Sequence, residues 1–109
     1  MAWLVRDDEV LAAAEVAMTR RERRLGLRGR STVEGALVLR PCHQVHTFGM
    51  QVPIDVAFCD DRGVVAHTVT LTPRRISRWV LRSSFVLECA AGSFDRWNLR
   101  PGDLVEVQG

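Results

Sequence analysis

The side chains that could do chemistry are concentrated in one segment. It reads Cys42-His43-Gln44-Val45-His46-Thr47-Phe48-Gly49-Met50-Gln51-Val52-Pro53-Ile54-Asp55, with two of the three histidines, a thiol and a carboxylate inside a Gly- and Pro-shaped loop. Asp55 opens an alternating run in which Ile54, Val56 and Phe58 point one way and Asp55, Ala57 and Cys59 the other. A carboxylate at such a place either satisfies loop amides or binds something. In the structural reading it accepts from backbone N–H groups of the turn around Thr47 to Met50 and holds that loop shut. In the functional reading it is a ligand-binding or general-base residue, with Glu88 as a partner from another strand. Most half-buried carboxylates are accounted for by hydrogen bonding, which favours the structural reading. Whether Asp55 and Glu88 share a face is left open by the sequence.

Other chemistries fit less well. His43 and His46 are weak metal candidates, with Cys42 or Asp55 as a third ligand. Their i, i+3 spacing points them to opposite sides of an extended strand, and no second pair completes a tetrahedral set. No metal or other cofactor is therefore expected; His46 is read as bonded within its loop and His43 as exposed. Cys42 and His43 are neighbours whose side chains diverge, so they make no dyad. Cys59 and Cys89 read as small core residues. Neither Thr47 nor Ser31 sits in a G-x-S-x-G setting.

The elements that must position these residues are short. Trp3–Arg6, an acidic turn at Asp7-Asp8-Glu9, and Val10–Met18 are predicted to form a hairpin, although the alanines of the second strand would also suit a helix. Thr19-Arg20-Arg21-Glu22 has the form of a capping box and predicts a short helix near residues 20–25, stopped by Gly26. Arg20 and Arg21 then occupy a first turn whose dipole disfavours cations. Strands are expected at 36–39, 54–60, 64–71, 85–90 and 103–107. A hairpin turn is expected at Asp60-Asp61-Arg62-Gly63, and residues 72–84 are read as a loop leading into a strand. Ser93 to Trp97 is read as one helical turn capped by Ser93. About seven short strands predict a mainly β fold, a small sandwich or barrel.

Composition bounds the partners. The 109 residues carry 15 arginines, no lysine and no tyrosine, for a net charge of +2. One domain fits this length. Joint loss of lysine and tyrosine points to a GC-rich genome more than to selection for phosphate contacts. The arginines nevertheless cluster, at Arg20, Arg21, Arg23, Arg24, Arg28 and Arg30, and again at Arg74, Arg75, Arg78 and Arg82 around Trp79. If the clusters share a face, they form a surface for an anionic partner with Trp79 as a stacking residue. At this net charge a solvated face is the simpler reading, and nucleic acid is not the expected partner. Three cysteines with no CxxC pair and an N-terminus lacking a basic leader suggest a reducing, cytoplasmic setting. No apolar run is long enough to span a bilayer, so no membrane association is expected.

Several blocks, taken in order, resemble the domain of unknown function family 192, a group of small prokaryotic proteins. They are Leu25-Gly26-Leu27-Arg28-Gly29-Arg30, Gly35–Leu39, Val45–Met50 followed by Pro53-Ile54-Asp55-Val56, Val86–Gly92, and Pro101-Gly102-Asp103. Arg28 stands where methionine is usual, and Cys89-Ala90 where Leu-Pro is commoner. The resemblance implies a jelly-roll-like, mainly β domain with a short N-terminal helix, and no established activity. It also places Arg30 at the family's arginine. The resulting expectation is a monomeric, non-enzymatic binding or accessory domain for a small molecule or a protein. Its site would comprise His46, Thr47, Met50 and Asp55, flanked by Arg20, Arg24 and Arg30, with Glu88 nearby. The alternatives are a small-molecule hydrolase or metal-dependent enzyme using Asp55 and Glu88, and a polyanion or nucleic-acid binder using the arginines.

Overall fold

The computed structural model describes residues 2–17, 19, 22 and 33–109. Its first hairpin joins β1 (Ala2–Arg6) to β2 (Glu9–Ala17). The connection takes Asp7 and Asp8 at φ 49° and 65°, the left-handed pair that a tight hairpin needs and that aspartate tolerates. The strand reading of this segment therefore holds over the helical one. β3 (Ala36–Leu39) lies parallel to β2, β4 (Ile54–Cys59) pairs with β5 (Val65–Leu71), and β6 (Phe85–Ala90) runs antiparallel between β3 and β4. A short helix α1 (Ser93–Trp97) and β7 (Glu106–Gln108) complete the chain. The seven strands make one sheet in the order β5-β4-β6-β3-β2-β1-β7.

The sheet curls without closing into a barrel. Its two edges meet at one end, where the Val65 N–H donates to Asp103 O (2.8 Å), Gly102 N–H to Val65 O (2.7 Å) and Val105 N–H to Gly63 O (2.9 Å). This link explains why the last strand begins at Glu106 and not at Asp103: the preceding backbone is engaged with residues 63–65. The turn expected at Asp60–Gly63 is present. Asp60 accepts the Arg62 and Val64 N–H groups, and Gly63 takes φ 94°.

Strands β3, β4 and β6 are buried at almost every position because both faces of the sheet are covered. On the concave face Val38, Ala57, Cys59, Leu87 and Cys89 pack with Phe94 of α1, Leu99 and Val105. On the other face Leu37, Leu39, Ile54, Val56, Phe58 and Val86 are covered by Val45, Met50 and Val80, which come from the 40–53 and 72–84 loops. The parity expected for β4 and β6 is thus observed. The predicted helix near 20–25, with Arg20, Arg24 and Arg30, lies outside the described residues apart from its cap. There the Thr19 N–H donates to Glu22 Oε1 (2.9 Å) and the Glu22 N–H to Thr19 Oγ1 (3.0 Å), both bonds of a capping box.

Candidate functional site

Asp55 is 3% exposed and fully engaged. Its Oδ2 accepts from the backbone N–H groups of Gly92 (3.0 Å) and Phe94 (3.1 Å), and its Oδ1 from the Thr70 hydroxyl (2.7 Å). The carboxylate therefore holds a loop, as one reading of the sequence required, but a different loop from the one expected. The Thr47–Met50 turn lies on the opposite side of the sheet, against the Met50 and Val45 cluster, whereas Asp55 projects to the concave face. Asp55 also takes over the role assigned to Ser93. The helix is entered through Gly92 at φ 94° with no capping bond from a neighbouring side chain, and the long-range carboxylate satisfies its first donors.

Glu88 does not join Asp55. The register sets Asp55 opposite Cys89 and Val56 opposite Glu88, so the two carboxylates project from opposite faces. A shared acid–base pair is not formed, because equal parity on two antiparallel strands leads to one face only when the register matches it.

Thr47 is fully buried and fastens two loops. Its hydroxyl donates to Thr72 O (2.6 Å) and accepts the Arg75 N–H (2.8 Å), while its own N–H donates to Arg75 O (2.8 Å). His46 is exposed, with Nδ1 accepting the Phe48 N–H (3.3 Å), as expected of a loop histidine. His43 corrects its expectation: it is half-buried, bonded through Nδ1 to Val80 O (3.1 Å) and stacked on Trp79. Among the described residues, no group of three His, Cys, Asp or Glu side chains is placed to hold a metal ion. The proposed constellation thus divides into Asp55 on one face and His46, Thr47 and Met50 on the other.

Around Asp55 the structure assembles a different site. A cleft of about 370 Å³ opens between the free edge of β5 and the α1–β7 connection. Thr68, Thr70, Asp95, Asn98 and Arg100 line it beside Asp55 and Gly92. Asn98 sits in the left-handed region at the end of α1, and its Oδ1 accepts from Arg100 Nε (2.8 Å), which orients the guanidinium. The connection is tied down from β1. Arg6 donates to Trp97 O (2.6 Å), Asn98 O (3.2 Å) and Asp103 Oδ2 (3.3 Å). Sequence reasoning missed Thr68, Thr70, Asn98 and Arg100. Their only signal was proximity to the Pro101-Gly102-Asp103 turn; that β5 is an edge strand emerges only from the sheet order.

The thiols are structural. Cys42, Cys59 and Cys89 are all free. Burial, with Asp60 adding to it, pushes the Cys59 thiol up to about 12. Cys89 is raised further for the same first reason, with Asp55 and Glu88 as additional causes. Both stay protonated and unreactive near neutral pH.

The family model DUF192, described as an uncharacterized ACR, matches residues 3–107. The chain belongs to this family. A protein of unknown function from Novosphingobium aromaticivorans DSM 12444 superposes with a TM-score of 0.82 at 22% identity, covering 96% of this chain and 82% of that one. A protein from Sinorhizobium meliloti 1021, described as a "putative transcription regulator", superposes with a TM-score of 0.78 at 21% identity, covering 97% of this chain and 91% of that one. At these identities the likeness concerns the fold alone. No curated protein matches the chain.

Proposed function

We propose that this member of a family without an assigned activity is a non-enzymatic binding domain, and that its site is the cleft along the β5 edge. One observation carries the reading: a concave, polar space of about 370 Å³, at the lower end of the size range of small-molecule sites, framed by an oriented guanidinium and two threonines. The buried carboxylate at its base is committed to three hydrogen bonds, so it shapes the wall and is not free to shuttle protons. The ligand class that suits the lining is a small hydroxylated molecule carrying a carboxylate, its anion set on Arg100 and its hydroxyls on Thr68 and Thr70. Three free cysteines, two of them in one core, support a reducing cytoplasmic setting.

Amide chemical shifts recorded while hydroxy acids, sugar acids and amino acids are added test the reading. Shifts confined to 68–70, 92–95 and 98–101, and absent in Arg100→Ala, are expected. No shift at millimolar ligand in the folded parent refutes a small-molecule site there.

A further inference from the structure

The face of the sheet remote from the cleft carries a second surface. Its covering loops run antiparallel and bond to each other as an irregular ladder. The Ser77 N–H donates to Val45 O (2.8 Å) and the Val80 N–H to His43 O (2.9 Å), and the Ser77 hydroxyl accepts the Val45 N–H (3.0 Å). His46 and Ile76 form a bridge in the same ladder. The two loops divide their side chains between the sheet and the outside. Val45, Thr47, Ser77 and Val80 are buried against the sheet, while His46, Phe48, Ile76, Arg78, Trp79 and Leu81 beside them are exposed. Four of the exposed residues are large and apolar: Phe48 at 44% exposure, Ile76 and Trp79 at 59%, and Leu81 at 81%. His43 backs the Trp79 ring at 5.0 Å, which fixes one face of the indole and leaves the other to the outside.

Arg74, Arg75, Arg78 and Arg82 stand among these residues, all exposed. Among the described residues none of the four forms an ion pair. The chain holds no carboxylate side chain between Glu34 and Asp55, or between Asp61 and Glu88, so the two loops are free of acids throughout. Burial first, and then the charge of Arg78, hold His67 on the neighbouring strand below the usual histidine range. Among the described residues the result is a cationic surface studded with aliphatic and aromatic tips.

We propose that this face docks onto the anionic surface of a lipid bilayer. Charge complementarity selects an anionic partner and disfavours a second copy, whose matching face would carry the same unpaired arginines. The apolar tips decide between anionic partners. A nucleic acid would use Trp79 and Phe48 for stacking but would leave Leu81 and Ile76 wet. A bilayer interface accepts all four, the aliphatic tips among the acyl chains and the indole at headgroup depth, with arginines on the phosphates. Surface docking of this kind needs no spanning segment. No helix among the described residues is long and apolar enough to cross a membrane.

Vesicle co-sedimentation of the full chain tests this, using phosphatidylcholine alone and phosphatidylcholine with about one-third phosphatidylglycerol. Each arginine at an anionic surface is worth roughly a fivefold gain in partitioning, so the mixed vesicles should bind at least one hundredfold more tightly, with the advantage falling as salt is raised. The double variant Arg78→Gln/Arg82→Gln should lose about twenty-fivefold. Leu81→Ser should lose several-fold, while Leu104→Ser, an exposed apolar site on another part of the surface, should lose nothing. All these positions are exposed, so the variants should fold, and circular dichroism with thermal melting checks that they do. Absence of binding to the mixed vesicles at low salt overturns the proposal. So does vesicle binding indifferent to Leu81→Ser and to the arginine pair. Retention of a labelled oligothymidylate without vesicle binding overturns it in favour of nucleic acid, and concentration-dependent dimerisation that protects Trp79 from quenchers overturns it in favour of self-association.

Discussion

Replacing Asp55 by alanine should destabilise the domain heavily, and the structure says by how much. The carboxylate accepts hydrogen bonds of 2.7, 3.0 and 3.1 Å from Thr70, Gly92 and Phe94. Hydrogen bonds to a charged group contribute roughly 1.5–3 kcal/mol each, and a buried donor left without a partner costs about 1–3 kcal/mol. The Phe94 N–H is buried and the Gly92 N–H partly so, while the Thr70 hydroxyl reaches water at the sheet edge. The loss is therefore carried mainly by two bonds and amounts to about 3–5 kcal/mol. For a domain of this size that corresponds to a fall in Tm of roughly 12–20 °C. Asp55→Asn can keep an oxygen on the two backbone donors and turn its amide toward the Thr70 oxygen, so it should lose only about 1–2 kcal/mol. Thr70→Val should cost about 1 kcal/mol, and a double-mutant cycle with Asp55→Asn should show coupling, because the two side chains touch. Thermal melts give the stabilities, and amide exchange locates the effect: in Asp55→Ala the Gly92 and Phe94 amides should exchange fastest relative to the parent. A Tm for Asp55→Ala within about 3 °C of the parent, or asparagine as damaging as alanine, would refute the cap assignment.

Four further outcomes follow from the same geometry. Thr47→Val removes a hydroxyl bonded at 2.6 and 2.8 Å and should cost about 2–3 kcal/mol, with trypsin cutting faster at Arg74 and Arg75; unchanged proteolysis would mean that Thr47 does not fasten the loops. Gly63→Ala would place a Cβ 2.2 Å from Val105 O at a φ of +94°, so a loss on the order of 3 kcal/mol is expected in urea titrations, and an unchanged midpoint would deny the link between the sheet edges. Native protein should be alkylated at Cys42 alone, with Cys59 and Cys89 reacting only on unfolding. Because the Cys59 thiol titrates near 12 when folded and near 9.0 when unfolded, its contribution is intact below pH 9.0 and is lost as pH rises toward 12, roughly tenfold in the folding constant per pH unit. A folding constant that stays flat above pH 9.0 would contradict the burial of that thiol.

What the sequence disclosed follows the range of the forces involved. The parities of Ile54/Val56/Phe58 and Phe85/Leu87/Cys89, the Asp7-Asp8 hairpin, the Asp60–Gly63 turn and the Thr19–Glu22 cap are all local, and all were legible. Asp55 shows where that ends. Its side chain's direction was readable from the strand, but the loop it meets lies 37 residues away, and alternation cannot say which loop crosses which face. Ser93 illustrates the converse. The local rule favours a serine cap, yet a better acceptor arriving from β4 makes it unnecessary. Glu88 fails by a single position of register, since pairing of Asp55 with Cys89 sends the neighbouring glutamate through the sheet. The cleft was invisible because edge strands are defined by sheet order, which here runs far from chain order.

Arginine abundance now divides into distinct causes. Arg6 holds the α1–β7 connection by its carbonyls, Arg62 closes a turn on Asp60, and Arg100 is aimed by Asn98 into the cleft. Each of these has an acceptor that fixes it. Arg74, Arg75, Arg78 and Arg82 have no acidic partner among the described residues and are set among exposed apolar tips. A genome that merely prefers arginine to lysine changes the identity of surface cations and leaves their distribution relative to acids alone. Solvated faces of soluble domains ordinarily intersperse both signs. Two loops that share one face, tie themselves rigid through Thr47 and Ser77, and exclude every carboxylate while exposing Phe48, Ile76, Trp79 and Leu81 depart from that pattern in distribution, which codon supply does not control.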